Sequence, residues 1–166
     1  MIELVLVDDA QEDLGLLERV LRQCKILNPI HRLSSGMETI SFLREEKQQG
    51  VHYLVLLDLI MAPVSGISVL RTLKAEGTVE DCIFVMLSGI TDIKAINEGY
   101  QLGAFTFMVK PIKPEDVMEM LNGLRNRIAV RQTPEGYLLE EGDFYSLAQS
   151  IPRIIPLDRM LSISAA

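Results

Sequence analysis

The chain has 166 residues, 48% of them hydrophobic and 23% charged, which suits one globular domain with a modest extension rather than two full domains. Its net charge of −7 and pI near 4.9 argue against non-specific binding to nucleic acid or an anionic membrane. Cys24 and Cys82 have neither metal-ligand spacing nor a disulfide framework, Met1 leads into an apolar strand rather than a signal peptide, and no apolar run nears the roughly 20 residues of a membrane span, so a soluble cytoplasmic protein is expected.

Five short runs rich in Val, Ile and Leu follow in order: 2–7 (IELVLV), 29–34 (PIHRLS), 53–58 (YLVLLD), 82–88 (CIFVMLS) and 105–109 (FTFMV). Such continuous apolar runs fit strands covered on both faces. Helical faces separate them: Leu14, Leu17, Leu21 and Cys24; Ile40, Leu43 and Phe42; Ile67, Leu70 and Leu73; Ile93, Ile96, Tyr100 and Leu102; and Val117, Leu121, Leu124 and Ile128. Alternating strands and helices predict an α/β fold, a flavodoxin-like (βα)5 three-layer sandwich with parallel strand order 2-1-3-4-5.

The pattern stops near Arg131, giving a domain over 1–130 and a C-terminal extension over 131–166. Pro134, Pro152 and Pro156 prevent the extension from being one long helix. It is nonetheless apolar, with Tyr137, Leu138, Leu139, Phe144, Tyr145 and Leu147 clustered. A hairpin about Glu141-Gly142 and a short helix after Ser146 are the readings its residues allow.

In an open parallel sheet, chemistry gathers where strands end, near the switch point. The predicted strands end in Asp8 and Asp9, in Asp58, in Ser88-Gly89 and in Lys110-Pro111. Singly, each has an ordinary reading: a helix cap, a turn, a solvated charge. Asp58 is the hardest to dismiss, because it closes a run of aliphatic residues where an unpaired carboxylate would be costly. Three clustered carboxylates call for a hard divalent cation, and oxygen ligands suit Mg²⁺. Lys110 and the Ser88 hydroxyl could both serve a phosphoryl oxygen, with Gly89 leaving room. A carboxylate nucleophile beside Mg²⁺ and lysine can form an aspartyl phosphate.

Residues 1 to about 128 closely resemble the receiver domain of two-component response regulators. The motifs LVDD (6–9), LLDLIM (56–61) with Gly66, LSG (87–89) and GAFTFMVKP (103–111) occur in that family's order and spacing. The resemblance implies that Asp58 is the phosphoacceptor, that Asp9 and Asp58 bind Mg²⁺ directly, that Asp8 acts through a metal-bound water, and that the Ile60 carbonyl completes the protein ligands. It also implies Ser88 as the switch hydroxyl, Phe107 as the switch aromatic, Lys110 as the phosphoryl contact, and a cis bond before Pro111. A sensor histidine kinase or histidine phosphotransfer protein would supply the phosphoryl group. The protein would catalyse only its own phosphorylation and slow autodephosphorylation, and so would not be an enzyme acting on other substrates.

Two departures from the family pattern stand out. Ile60 and Ile90, two positions after Asp58 and Ser88, place apolar bulk along the path of the hydrolytic water, which predicts a long-lived phosphate. Receivers also usually carry proline directly after the position of Met61, whereas here Ala62 intervenes before Pro63, adding a backbone N–H. The extension carries three Arg and five Asp/Glu and offers no basic DNA-binding face, so the expected output is a downstream protein target or a homodimer. The tail could dock on its own receiver or on a second chain.

Competing classes fit less well. A haloacid-dehalogenase-type phosphatase wants a second acid where Ile60 stands, and a flavodoxin-like cofactor binder wants a phosphate-cradling loop where DDAQED stands. A phosphorylation-independent interaction module on the same fold is the alternative. KILNPIH and the SFLRE helix faintly resemble stand-alone receivers that partner bacterial photoreceptor kinases.

Overall fold

Each strand of the central sheet is a nearly unbroken apolar run because helices cover both of its faces. The computed structural model describes residues 1–89 and 92–142. Strands and helices alternate: β1 (Ile2–Val7), α1 (Gln11–Gln23), β2 (Ile30–Leu33), α2 (Gly36–Ser41), β3 (His52–Asp58), α3 (Gly66–Glu76), β4 (Cys82–Ser88), α4 (Ile93–Gln101), β5 (Thr106–Val109) and α5 (Pro114–Leu124). A π-helical turn at Phe42–Glu46 extends α2. The five strands form one parallel sheet in the order β2-β1-β3-β4-β5, as the alternation predicts.

Successive side chains on a strand point to opposite faces, which divides the core in two. Leu4, Leu6, Leu54 and Leu56 pack with Leu14, Leu17, Val117 and Leu121 of α1 and α5. Val5, Val7, Val55 and Leu57 pack on the other face with Ile40, Ile67, Leu70 and Ile96 of α2, α3 and α4. Each such aliphatic side chain is worth about 1.5–3 kcal/mol when fully removed from water. Among the described residues, no helix is long and apolar enough to cross a membrane.

The C-terminal part departs from the sequence reading. The apolar spacing of Val117, Leu121, Leu124 and Ile128 suggests one helix, but α5 stops at Leu124 and Ile128 opens a strand, β6 (Ile128–Gln132). β6 pairs antiparallel with β7 (Tyr137–Glu141), with Val130 opposite Leu139. The hairpin therefore turns at Thr133–Gly136, not at Glu141-Gly142. The Thr133 hydroxyl accepts the N–H groups of Glu135 and Gly136, which organises the turn. A side chain at Gly136 would collide with the Lys25 carbonyl. The short helix expected after Ser146 lies outside the described residues.

The described part of the extension docks on its own chain. Tyr137 donates its N–H to the Lys25 carbonyl at 2.6 Å and accepts from Leu27 at 2.9 Å. Leu139 and Ile128 are 1% and 3% exposed, part of the same core as β1 and α1.

Candidate functional site

Parallel pairing brings the polar strand ends into one place. Val7 is level with Leu57, Asp58 with Leu87, and Ser88 with Val109, so Asp8, Asp58, Ser88 and Lys110 leave the sheet at neighbouring points of its carboxyl edge. A cavity of about 420 Å³ opens there. Its wall contains four carboxylates (Asp8, Asp9, Asp13 and Asp58) with Lys110, Ile60 and Gly89.

Asp58 is 5% exposed and Asp8 3%. Asp8 is held in place, its Oδ1 accepting the Ala10 N–H at 2.9 Å. Asp58 Oδ1 accepts the Ile60 N–H at 3.4 Å, a long contact. Lys110 Nζ lies 2.8 Å from Asp8 Oδ2, 2.8 Å from Asp13 Oδ2 and 3.4 Å from Asp58 Oδ2. Asp8, Asp9 and Asp58 each offer an oxygen within 4.8 Å of the others.

This crowding shows in the acid–base properties. Burial and then the neighbouring Asp8 charge push the Asp58 carboxyl up to about 6, against the pull of Lys110. Burial alone would lower Lys110, but its hydrogen bonds to Asp13 and Asp8 outweigh that and hold the ammonium above its ordinary range. One ammonium cannot balance four carboxylates. The oxygen-only donor set and the repulsion that raises Asp58 both fit a small divalent cation.

The loop after β3 is drawn tightly under Asp58. Gly66 donates its N–H to the Leu59 carbonyl at 2.9 Å, and any side chain there would overlap the Asp58 carbonyl. The Ala62 N–H, which proline at that position would lack, faces Asp9 Oδ2 at 3.4 Å. Ala62–Pro63 and Lys110–Pro111 are both cis.

The remaining sequence candidates are less uniform in placement. Ser88 is 2% exposed and ends β4, but Gly89, and not Ser88, forms the cavity wall on that side. A Cβ built on Gly89 meets nothing within 4 Å, so the space before it is open. Ile60 is 54% exposed at the cavity, whereas Ile90 lies outside the described residues. Phe107 is buried, lying over Gly99 of α4 with its ring 5.3 Å from that of Tyr100. Asp13 escapes strand-end reasoning because it belongs to the first turn of α1, four positions after Asp9.

Residues 4–122 match the response regulator receiver domain family. The DNA-binding response regulator MtrA of Mycolicibacterium smegmatis is 31% identical over 111 residues, 67% of this chain and 44% of MtrA. The two-component response regulator ORR3 of Oryza sativa is 26% identical over 116 residues, covering 70% of this chain and 85% of ORR3. The chain thus spans under half the length of MtrA and 53% of the transcriptional regulatory protein CiaR of Streptococcus pneumoniae. Among solved structures, the bacteriophytochrome response regulator AtBRR superposes with a TM-score of 0.64 at 27% identity, covering 74% of this chain and 91% of AtBRR. Sheet order, motif spacing and the match over residues 4–122 agree: the chain belongs to the response regulator receiver family.

Proposed function

We propose that Asp58 accepts a phosphoryl group from a phosphohistidine on a sensor histidine kinase or histidine phosphotransfer protein, and that the acyl phosphate switches a protein-binding surface. The observation that carries this reading is Asp58 itself: a buried strand-end carboxylate opening on a cavity beside Lys110, with two further carboxylates within metal-binding reach. In the transfer, an Asp58 oxygen bonds to phosphorus as the phosphorus–nitrogen bond of the donor breaks, and the electron pair of that bond leaves with the imidazole. Asp9 and Asp58, the Ile60 carbonyl, and Asp8 through water would hold Mg²⁺, which when bound offsets negative charge on the transferring group. Lys110 stands where its ammonium can meet a phosphoryl oxygen, and Ser88 donates its hydroxyl to another.

The new charge draws Ser88 and lets Phe107 repack over α4, a shift between two packings of one surface. The net charge of −2 on the extension favours a contact with a downstream protein or a second copy of the chain as the output. Free thiols at Cys24 and Cys82 accord with work in the cytoplasm. The protein catalyses only its own phosphorylation and dephosphorylation.

Incubation with Mg²⁺ and acetyl phosphate tests the reading by intact mass. The wild type gains one phosphoryl group and Asp58→Asn gains none. No modified species, together with no response to beryllofluoride, would overturn it and favour an interaction module that works without phosphorylation.

A further inference from the structure

Lys110 is shared, and the sharing is uneven. Its ammonium has three protons. Two are within close reach of Asp8 and Asp13, each at 2.8 Å, while the oxygen of Asp58 is 3.4 Å away. Asp8 is almost fully buried and anchored by the Ala10 N–H. Asp13, in the first turn of α1, has a side chain 41% exposed and, among the described residues, accepts from no backbone N–H. Of the two carboxylates that hold Lys110, Asp13 is the one that can let go.

We propose that Asp13 is a positioning residue that holds Lys110 back from Asp58 in the resting protein and competes with the phosphoryl group for it. This role rests on the phosphoacceptor reading above. A phosphoryl group adds close to two negative charges and three strong acceptor oxygens, enough to draw the ammonium from a partly exposed carboxylate. Until then, Asp13 engages one of the three ammonium protons and keeps Lys110 on its own side of the cavity. Asp13 thus raises the threshold for stable phosphorylation, and its release would accompany the switch.

The test uses the full chain with Mg²⁺ and follows beryllofluoride binding, acetyl phosphate labelling and acyl-phosphate lifetime. Asp13→Asn is expected to lower the beryllofluoride concentration for half-saturation by roughly two- to fivefold, the scale of one partly exposed ion pair, and to speed labelling by a similar factor. Glu12→Gln, its exposed neighbour, removes the same charge without touching Lys110 and serves as the control for general repulsion. Asp13→Ser repeats the test with a second side chain. In a Lys110→Ala background the Asp13→Asn gain is expected to disappear, which a purely structural or long-range effect would not produce. Equal behaviour of Asp13→Asn and Glu12→Gln, weaker binding in Asp13→Asn, or a gain that persists without Lys110 would each overturn the role of Asp13 while wild-type labelling stands. Absence of wild-type labelling, against the Asp58→Asn blank, would overturn the phosphoacceptor reading and this role with it.

Discussion

The two ends of the sheet solve opposite problems. At the carboxyl end, three carboxylates share one ammonium with a fourth, Asp9, beside them, and two of the four are nearly buried. At the amino end, the β6–β7 hairpin meets the start of β1, and the central polar group there is satisfied. Asn28 is 2% exposed, donates to the Ile2 carbonyl at 2.8 Å and the Leu139 carbonyl at 2.9 Å, and accepts the Leu139 N–H at 2.8 Å. Glu141 then reaches both the N-terminal amine and His52 Nδ1, the latter at 2.9 Å. Buried polar groups with full partners rigidify, whereas like charges in one cavity store repulsion that a ligand can relieve. Asn28 thus ties the hairpin to β1 at the end of the sheet farther from the Asp58 cavity.

The largest effect on stability is expected where the hairpin is clamped. Asn28→Ala removes three hydrogen bonds and leaves backbone groups of Ile2 and Leu139 buried without them. The loss should be on the order of 2–4 kcal/mol, read by urea denaturation. Amide exchange in β7 should quicken with it. A loss below about 0.5 kcal/mol, the size of a neutral surface change, would show that the hairpin is not held by Asn28.

The carboxyl end should respond in the other direction. Because the Asp58 carboxyl is pushed up to about 6 by burial and then by Asp8, the folded state favours its protonated form. The associated stability is complete below the ordinary value of 3.8 and is lost as pH rises through 6. Asp58→Asn has no such loss, so without metal it should exceed the wild type by roughly 1–2 kcal/mol at pH 7.5, less than the full shift because the cavity is open to water. The gap should narrow toward pH 5, and Mg²⁺ should narrow it at pH 7.5 by stabilising the wild type alone. A gap independent of both pH and Mg²⁺ would deny that the carboxylates repel.

These ends also differ in how much of each is written locally in the sequence. The strands could be read from continuous apolar runs, and the site from asking which charged residues terminate them; Asp8, Asp9, Asp58 and Lys110 emerge from that question alone. Asp13 does not, because an acid in the first turn of a helix is already explained by the helix dipole. The hairpin was misplaced because Ile128 continues the i, i+4 spacing of α5 while also beginning the alternation of β6, and only its burial beside Leu139 decides between them. Asn28 reads locally as a turn residue; its partner at Leu139 is 111 positions away. What escaped the sequence were contacts that need the tertiary fold to exist.

The smallest expected effect separates chemistry from stability at a single side chain. Ile60 is 54% exposed at the cavity and follows Asp58 by two positions, so its bulk stands where water would approach an acyl phosphate. An asparagine there offers that water a hydrogen-bonding partner and less apolar cover. Ile60→Asn should therefore shorten the acyl-phosphate lifetime by up to about tenfold, which corresponds to roughly 1.4 kcal/mol of barrier. As Ile60 contributes little to the core, the unfolding free energy from urea denaturation should stay within about 0.5 kcal/mol of wild type. Asn28→Ala should show the reverse, a lowered midpoint with an unchanged lifetime at temperatures where the variant is folded. An Ile60→Asn lifetime equal to wild type would mean that the water comes by another path. A lifetime changed in Asn28→Ala would mean that the hairpin is coupled through the sheet to the Asp58 cavity, so that the two ends are not independent.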